Sequence, residues 1–255
     1  MSDMGNYTGA AGAQTDAALD PGLKKFMLGV YQKMGLGLLV SAALAWLTSS
    51  FAPVSDLMFV KTETGGLAGF TLLGMIVSFA PLVILLGSNF MMKNASARSS
   101  SILYWVIVAL VGASLGTVVL MYAGASVVTT FLITAAAFGG LSLAGYTTKR
   151  DLSGLRSFVF FAMWGFVFAA IAFSIGGAFG LFSVGPIFMI MNAVGILLMA
   201  GLIASETQHL KLIYYSVRGD GEGMSVATSY GALNLYIAFV NLFRFLLYFM
   251  GVRRD

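Results

Sequence analysis

Two long uncharged stretches, residues 99–148 and 157–205, constrain the fold of this chain more than any other feature. Each is more than twice the roughly 20 apolar residues that one helix needs to cross a bilayer. Each therefore predicts two consecutive membrane-spanning helices. The composition agrees, because only 9% of the residues are charged, whereas a soluble globular domain carries about 25%. Together with a mean hydropathy of +0.92, this indicates one polytopic membrane domain.

The other uncharged stretches extend this pattern to an all-α membrane protein with seven transmembrane helices. Small residues mark the breaks inside the two long stretches, at "YAGAS" (122–126) and near "GGAFGLFSVGP" (176–186). The expected spans are 34–52, 67–90, 101–121, 127–146, 158–178, 185–205 and 231–250. The sixth helix could continue past the membrane surface towards Val217. Residues 1–22 are small, polar and weakly acidic, so we expect a disordered cytosolic tail before a transmembrane domain at 23–255.

The distribution of lysine and arginine predicts the orientation in the membrane. If the N-terminus is cytosolic, ten basic residues fall on the cytosolic side: Lys24, Lys25, Lys33, Lys93, Arg98, Lys149, Arg150, Arg156, Lys211 and Arg218. Three fall on the opposite side: Lys61, Arg253 and Arg254. Because short cytosolic loops carry the excess of positive charge, we expect the N-terminus inside and the C-terminus outside.

The same composition excludes several function classes. The basic residues are few and scattered, which argues against a nucleic-acid partner. The chain has no cysteine, and this excludes disulfides, thiolate metal sites and a cysteine nucleophile. We expect no cofactor.

The stretch "GASLG" (112–116) matches the pattern of serine hydrolases, but that pattern works only on a strained strand-to-helix turn. Here it falls inside an apolar span, where Gly112 and Gly116 also form the spacing that lets two helices approach closely. We therefore expect helix packing. An intramembrane protease that uses Ser114 and His209 is the weaker alternative, because the two residues are predicted at different depths.

A carboxylate and the only histidine of the chain follow the sixth span directly. Glu206 and His209 are three residues apart, so they share a helix face. A carboxylate at a membrane helix is costly and is a functional candidate, although Glu206 could simply reach water at the interface. On the seventh span, Asn234, Ala238 and Asn241 form one stripe that could line a polar pathway or hold helices together. Arg244 lies beyond that stripe, where its side chain could snorkel outwards.

Four segments resemble the Bax inhibitor-1 family, and the fourth-helix segment and the tail resemble its bacterial branch most. They are "FMLGVYQKMGLGLLVSAALAWL" (26–47), "FLITAAAFGGLSLAGYTTKRDLSGLRSF" (131–158), "SETQHLK" (205–211), and "ALNLYIAFVNLF" (232–243) followed by "GVRRD". The resemblance covers nearly the whole chain after Leu23. It implies six helices around a central seventh, a place in the bacterial inner membrane, and a pH-sensitive calcium leak.

In the family pattern, two acidic residues on the sixth and seventh helices share a proton. The first corresponds to Glu206, and the second corresponds to Ala238, which cannot titrate. A lone carboxylate lacks the coupling that raises one pKa of such a pair. The basic residue that some members carry on the second helix is also missing, because residues 67–92 hold no charge.

The expected function is therefore a non-enzymatic leak for calcium or another cation across the lipid bilayer. Its proton-sensing or pathway residues would be Glu206, His209, Asn234, Ala238 and Asn241. Histidine, with an ordinary pKa of about 6.5, could add a pH response of its own. The alternative is an interaction protein that modulates a membrane-bound protease complex, as some bacterial members of the family do.

Overall fold

The computed structural model describes residues 20–62, 67–91, 95–179 and 184–254, and these residues are almost entirely helical. Within these ranges the helices are α1 (Pro21–Ser50), α2 (Ala52–Met58), α3 (Leu72–Met91), α4 (Ala97–Ser114), α5 (Gly116–Met121), α6 (Gly124–Thr147), α7 (Ser153–Ala178), α8 (Val184–Val217) and α9 (Gly221–Met250). The all-α class expected from the sequence is confirmed.

Six helical segments of the described residues are long and apolar enough to cross a membrane. They are Pro21–Ser50, Ala97–Met121, Gly124–Thr147, Ser153–Gly177, Gly185–Val217 and Gly221–Met250. Helix α3 holds a shorter apolar stretch, Leu72–Ser88, close to the lower limit of about 17 residues for a span. The architecture is thus that of a polytopic helical membrane protein, and the count of seven spans stays a prediction.

Helix α1 begins well before the apolar stretch from which it was predicted. The Asp20 carboxylate accepts hydrogen bonds from the backbone N–H groups of Gly22 (2.8 Å) and Leu23 (3.2 Å), which makes it the N-cap. Pro21 occupies the first turn, where a helix needs no backbone donor. Hydropathy detects the apolar part of a helix and misses a polar first turn of this kind.

Other boundaries also differ from the predicted spans. Of the predicted tail, residues 1–19 lie outside the described residues, while residues 20–22 form the cap and first turn of α1. Helix α8 continues to Val217, which confirms the extension expected for the sixth helix, and α9 begins at Gly221, ten residues before the predicted span. Both helices therefore extend beyond the apolar segments that predicted them.

A short antiparallel hairpin precedes α3, made of β1 (Phe59–Lys61) and β2 (Leu67–Phe70). Phe59 pairs with Phe70 across it. The hairpin includes the first four residues of the second predicted span, 67–90, so that part of the apolar stretch is not helical. An apolar run of this length cannot be assigned to a helix or a strand by hydropathy alone.

Helix α9 packs against α1, α4, α6 and α8. Half of its most apolar window is buried, the largest share among the six long segments of the described residues. Helix α7 is the opposite case, because only 6% of its window is buried and it packs chiefly on α8. Among the long helical segments of the described residues, α9 is therefore the most enclosed by other helices and α7 the most peripheral.

The turn between α8 and α9 brings their facing sides together. Gly219 has a φ of 91°, a left-handed conformation that other residues adopt only with strain. Asp220 then caps α9 by accepting a hydrogen bond from the backbone N–H of Glu222 at 3.0 Å. This tight reversal places residues near the end of α8 beside residues near the start of α9.

Candidate functional site

A cavity of about 840 Å³ lies at the end of the bundle where α7 begins and α8 ends. Its polar lining includes Asp151, Arg156, Glu206, His209 and Asn234. Three of the five residues predicted for a proton-sensing site, Glu206, His209 and Asn234, thus meet in one cavity.

Glu206 is buried, with 4% of its surface exposed, and both of its carboxylate oxygens have partners. Asn234 of α9 donates its Nδ2–H to Oε1 of Glu206 at 2.7 Å. Nε of Arg156, near the start of α7, lies 3.4 Å from Oε2. An amide donor and a guanidinium are both matched to a carboxylate, which offers only acceptors when it is ionised. One side chain of α8 therefore connects α7, α8 and α9.

Arg156 is the functional candidate that the sequence did not reveal. By charge pattern alone it is one of several basic residues of a loop, yet α7 begins at Ser153 and carries it on its first turns. Its side chain is 43% exposed, so the ion pair with Glu206 joins a buried group to a partly solvated one.

Two residues close to Glu206 on α8 form hydrogen bonds with the loop between α6 and α7 and with the end of α6. The side-chain amide of Gln208 accepts a hydrogen bond from the backbone N–H of Leu152 (2.8 Å) and donates one to the carbonyl of Arg150 (2.7 Å). Lys211 donates to the carbonyl of Tyr146 (2.7 Å) near the C-terminal end of α6, where a positive charge is favourable. The "SETQHLK" segment therefore fixes the loop that leads into the helix of Arg156.

Asp151 in that loop is a second carboxylate of the cavity. The backbone N–H and the hydroxyl of Ser153 each donate to it at 2.9 Å. These hydrogen bonds hold the pKa of Asp151 below its usual value. Asp151 therefore stays charged through neutral and mildly acidic pH, and a pH response in that range has to come from another group.

Comparison with known proteins identifies the family of the chain. A family model described as inhibitor of apoptosis-promoting Bax1 matches residues 23–255. The chain belongs to the Bax inhibitor-1 family. An uncharacterized protein of Caulobacter vibrioides is 51% identical and aligns over 95% of this chain and 94% of its own length. The inner membrane protein YbhL of Escherichia coli is 35% identical, over 94% of this chain and 98% of its own length. The family resemblance inferred from the helix motifs is confirmed.

The other two residues predicted for the proton-sensing site of this Bax inhibitor-1 family chain, Ala238 and Asn241, do not line the cavity. Ala238 is fully buried one turn beyond Asn234 on α9, and Asn241 lies one further turn away and is partly buried. The cavity lining from α9 consists of Asn234 and Ile237. At position 238, to which the resemblance assigns the family's second acid, the chain has a buried methyl group. The nearest polar group to Glu206 on α9 is an amide.

Gly112 and Gly116 lie at close contacts between helices. A Cβ added to Gly112 would lie 2.6 Å from Cα of Ser41 on α1. A Cβ added to Gly116 would collide with the hydroxyl of Thr48, also on α1. The two glycines therefore sit where the backbone of the α4–α5 segment approaches α1 too closely for a side chain.

Ser114, between these glycines, has partners that differ from those of a hydrolase nucleophile. Its hydroxyl donates to the carbonyl of Val111 at 2.8 Å and accepts from Nη2 of Arg244 at 3.0 Å. His209 instead lines the cavity at the end of the bundle where α8 ends. The contacts of Ser114 are those of a helix-packing residue.

Proposed function

We propose that this protein is a membrane leak for calcium or another cation, modulated by the ionisation of Glu206. The observation that carries the proposal is the buried Glu206 carboxylate, which lies in a cavity and contacts α7 and α9 at once. A carboxylate in a membrane helix is costly and usually serves transport or proton sensing. The family membership supports the same function.

The contacts suggest how one proton would act. When Glu206 is ionised, its attraction to Arg156 holds the start of α7 against α8. When Glu206 is protonated, the attraction is lost, while Asn234 can still donate to a carboxyl oxygen. Because α7 packs chiefly on α8, it is the helix that loses most when this ion pair breaks. Protonation would therefore loosen α7 and leave α8 and α9 together.

The free energy of the ion pair between Glu206 and Arg156 is large enough to modulate the flux and too small to switch it fully on or off. Since Arg156 is partly exposed, the ion pair contributes about 1 kcal/mol. That energy shifts a two-state equilibrium about fivefold. We expect a graded change of flux with pH, because alanine at position 238 leaves Glu206 without the coupled acid of the family pattern.

The same proposal includes the arrangement in the membrane. It places seven spans with α9 at the centre, α3 being the second span. It also places the N-terminus and the Glu206 cavity on the cytosolic side of a bacterial inner membrane, with the C-terminus outside. The supporting observations are the ten-to-three distribution of basic residues and the packing of α9 against four helices.

Calcium flux into liposomes that contain only the purified protein tests the proposal. Wild type should change its flux across a pH series, and Glu206→Gln should remove the acidic part of that change, because the amide cannot ionise. Arg156→Gln should resemble Glu206→Gln at neutral pH, because both variants break the same ion pair. Glu222→Gln is the matched control, since Glu222 is exposed on the first turn of α9. A pH profile that Glu206→Gln leaves unchanged would refute the role of Glu206.

The alternative function is modulation of a membrane-bound protease complex. It differs in one measurable respect, because modulation requires a partner, whereas a leak requires none. If the purified protein passes no calcium at any pH but alters the activity of a co-reconstituted membrane protease, the alternative is supported and the leak is not.

A further inference from the structure

Arg244 is a positive charge inside the bundle, far from the Glu206 cavity. It lies on α9 ten residues beyond Asn234, which is about 15 Å along the helix axis. Its side chain is turned to α4, where Nη2 donates to the hydroxyl of Ser114 at 3.0 Å. Snorkelling towards the helix end, which the sequence suggested, is therefore not what the structure shows.

Among the described residues, the guanidinium of Arg244 has no negatively charged partner. Within the described parts of the chain, no carboxylate lies within 4.0 Å of it, and its buried Nε has no hydrogen-bond partner. The hydroxyl of Ser114, at the end of α4, is a neutral partner and does not balance the charge. An arginine in a membrane segment without a carboxylate is costly, which argues that the charge itself has a use.

The position of Arg244 suggests that use. An ion that crosses the bundle beside α9 passes the level of Glu206 near one end and the level of Arg244 about 15 Å later. We propose that Arg244 is a charge-selective barrier of the leak. Its guanidinium forms no ion pair with a described carboxylate, and its positive charge slows cations according to their valence. This inference rests on the proposed function and adds the residue that limits rate and selectivity.

The electrostatic argument makes a quantitative prediction. The energy of an ion in the field of a fixed charge is proportional to the charge of the ion. If removal of the Arg244 charge raises the flux of a monovalent cation by some factor, it should raise the flux of a divalent cation by the square of that factor. A gain of about threefold for K⁺ would accompany a gain of about tenfold for Ca²⁺, and chloride flux should fall. A pore that is merely wider would not follow this rule.

The test uses the purified full chain in liposomes, with K⁺, Ca²⁺ and chloride fluxes measured separately. Arg244→Gln removes the charge, and Arg244→Lys keeps it. Ser114→Asp is a second way to neutralise the charge, because it places a carboxylate beside the unchanged Arg244. Lys61→Gln is the control for a basic residue at the same end of the bundle, where Lys61 already pairs with Asp56 at 2.9 Å. Size-exclusion profiles identify variants that do not fold, and Ser114→Asp replaces Arg244→Gln if the latter fails.

The inference predicts the square relation between Ca²⁺ and K⁺ for Arg244→Gln or Ser114→Asp, with Arg244→Lys and Lys61→Gln close to wild type. Equal factors for the two cations, or no change, would overturn it while leaving the leak intact. If wild type passes no ions but Arg244→Gln passes cations, the proposed leak of the wild type fails, and the inference that rests on it fails too, because no wild-type flux exists from which to form the two factors. If no variant passes ions, both are refuted.

Discussion

A close backbone contact between two helices, Gly112 of α4 and Ser41 of α1, yields a sharp prediction for Gly112→Ala. A Cβ on Gly112 would lie 2.6 Å from Cα of Ser41 and 3.1 Å from its Cβ, whereas carbon atoms pack at about 3.5–4.0 Å. Because the nearest atom belongs to the backbone, no side-chain rotation can relieve the clash. The two helices would have to separate locally by about 1 Å.

The separation has a cost that can be estimated. Overpacking of this kind costs about 1–3 kcal/mol, and alanine in a helix recovers about 0.5–1 kcal/mol relative to glycine. Nearby hydrogen bonds would also stretch, namely from Ser41 Oγ to the carbonyl of Val108 (3.2 Å) and from Thr48 Oγ1 to the carbonyl of Ala113 (3.0 Å). We expect a net loss of about 1–2 kcal/mol, which lowers the melting temperature by roughly 2–8 °C for a chain of this size.

Thermal unfolding in detergent, followed by tryptophan fluorescence, measures this loss. Gly139→Ala on α6 is the matched control, because a Cβ at Gly139 would meet nothing within 4 Å. That variant should be neutral or slightly more stable than wild type. If both variants shift the melting temperature equally, the close contact at Gly112 does not limit stability, and the packing interpretation of this glycine is wrong.

Two further predictions concern the site and the topology. Asn234→Leu removes the donor to a buried carboxylate oxygen, and it should lower the free energy of unfolding by about 1–3 kcal/mol. The loss should shrink in a Glu206→Met background, and an equal loss in both backgrounds would show that the hydrogen bond is not responsible. A reporter that is active only outside the cytosol should be active when fused after Asp255 and inactive when inserted at 149–156. Activity at both positions would contradict the seven-span topology.

The sequence alone determined the class of fold and the family. Backbone polar groups must be satisfied inside the segment that crosses a bilayer, so an uncharged apolar stretch of sufficient length has few alternatives to a helix. The breaks at 122–126 and near 180 followed from the same local information, and described helices end and begin on either side of each break. Helix ends were less accurate, as at Pro21 and Leu72, because polar first turns and short strands leave little trace in hydropathy.

Part of the candidate site was also accessible from the sequence. Glu206 was identified because a carboxylate directly after an apolar span is costly, and Asn234 was identified because it belongs to a polar stripe at helical spacing. Their direct contact at 2.7 Å is a finding of the structure. It follows from the tight turn at Gly219, which sets the register of α8 against α9.

Only the tertiary structure decided which charges are paired. Arg156 and Arg244 are both single basic residues in the sequence, yet one lies 3.4 Å from a carboxylate and the other contacts a serine hydroxyl. Each residue of a helix is rotated by about 100° from the one before it. The partner of a side chain therefore depends on how each helix is turned about its own axis against its neighbours. That rotation is set by the packing of several helices at once, and spacing within one segment does not contain it.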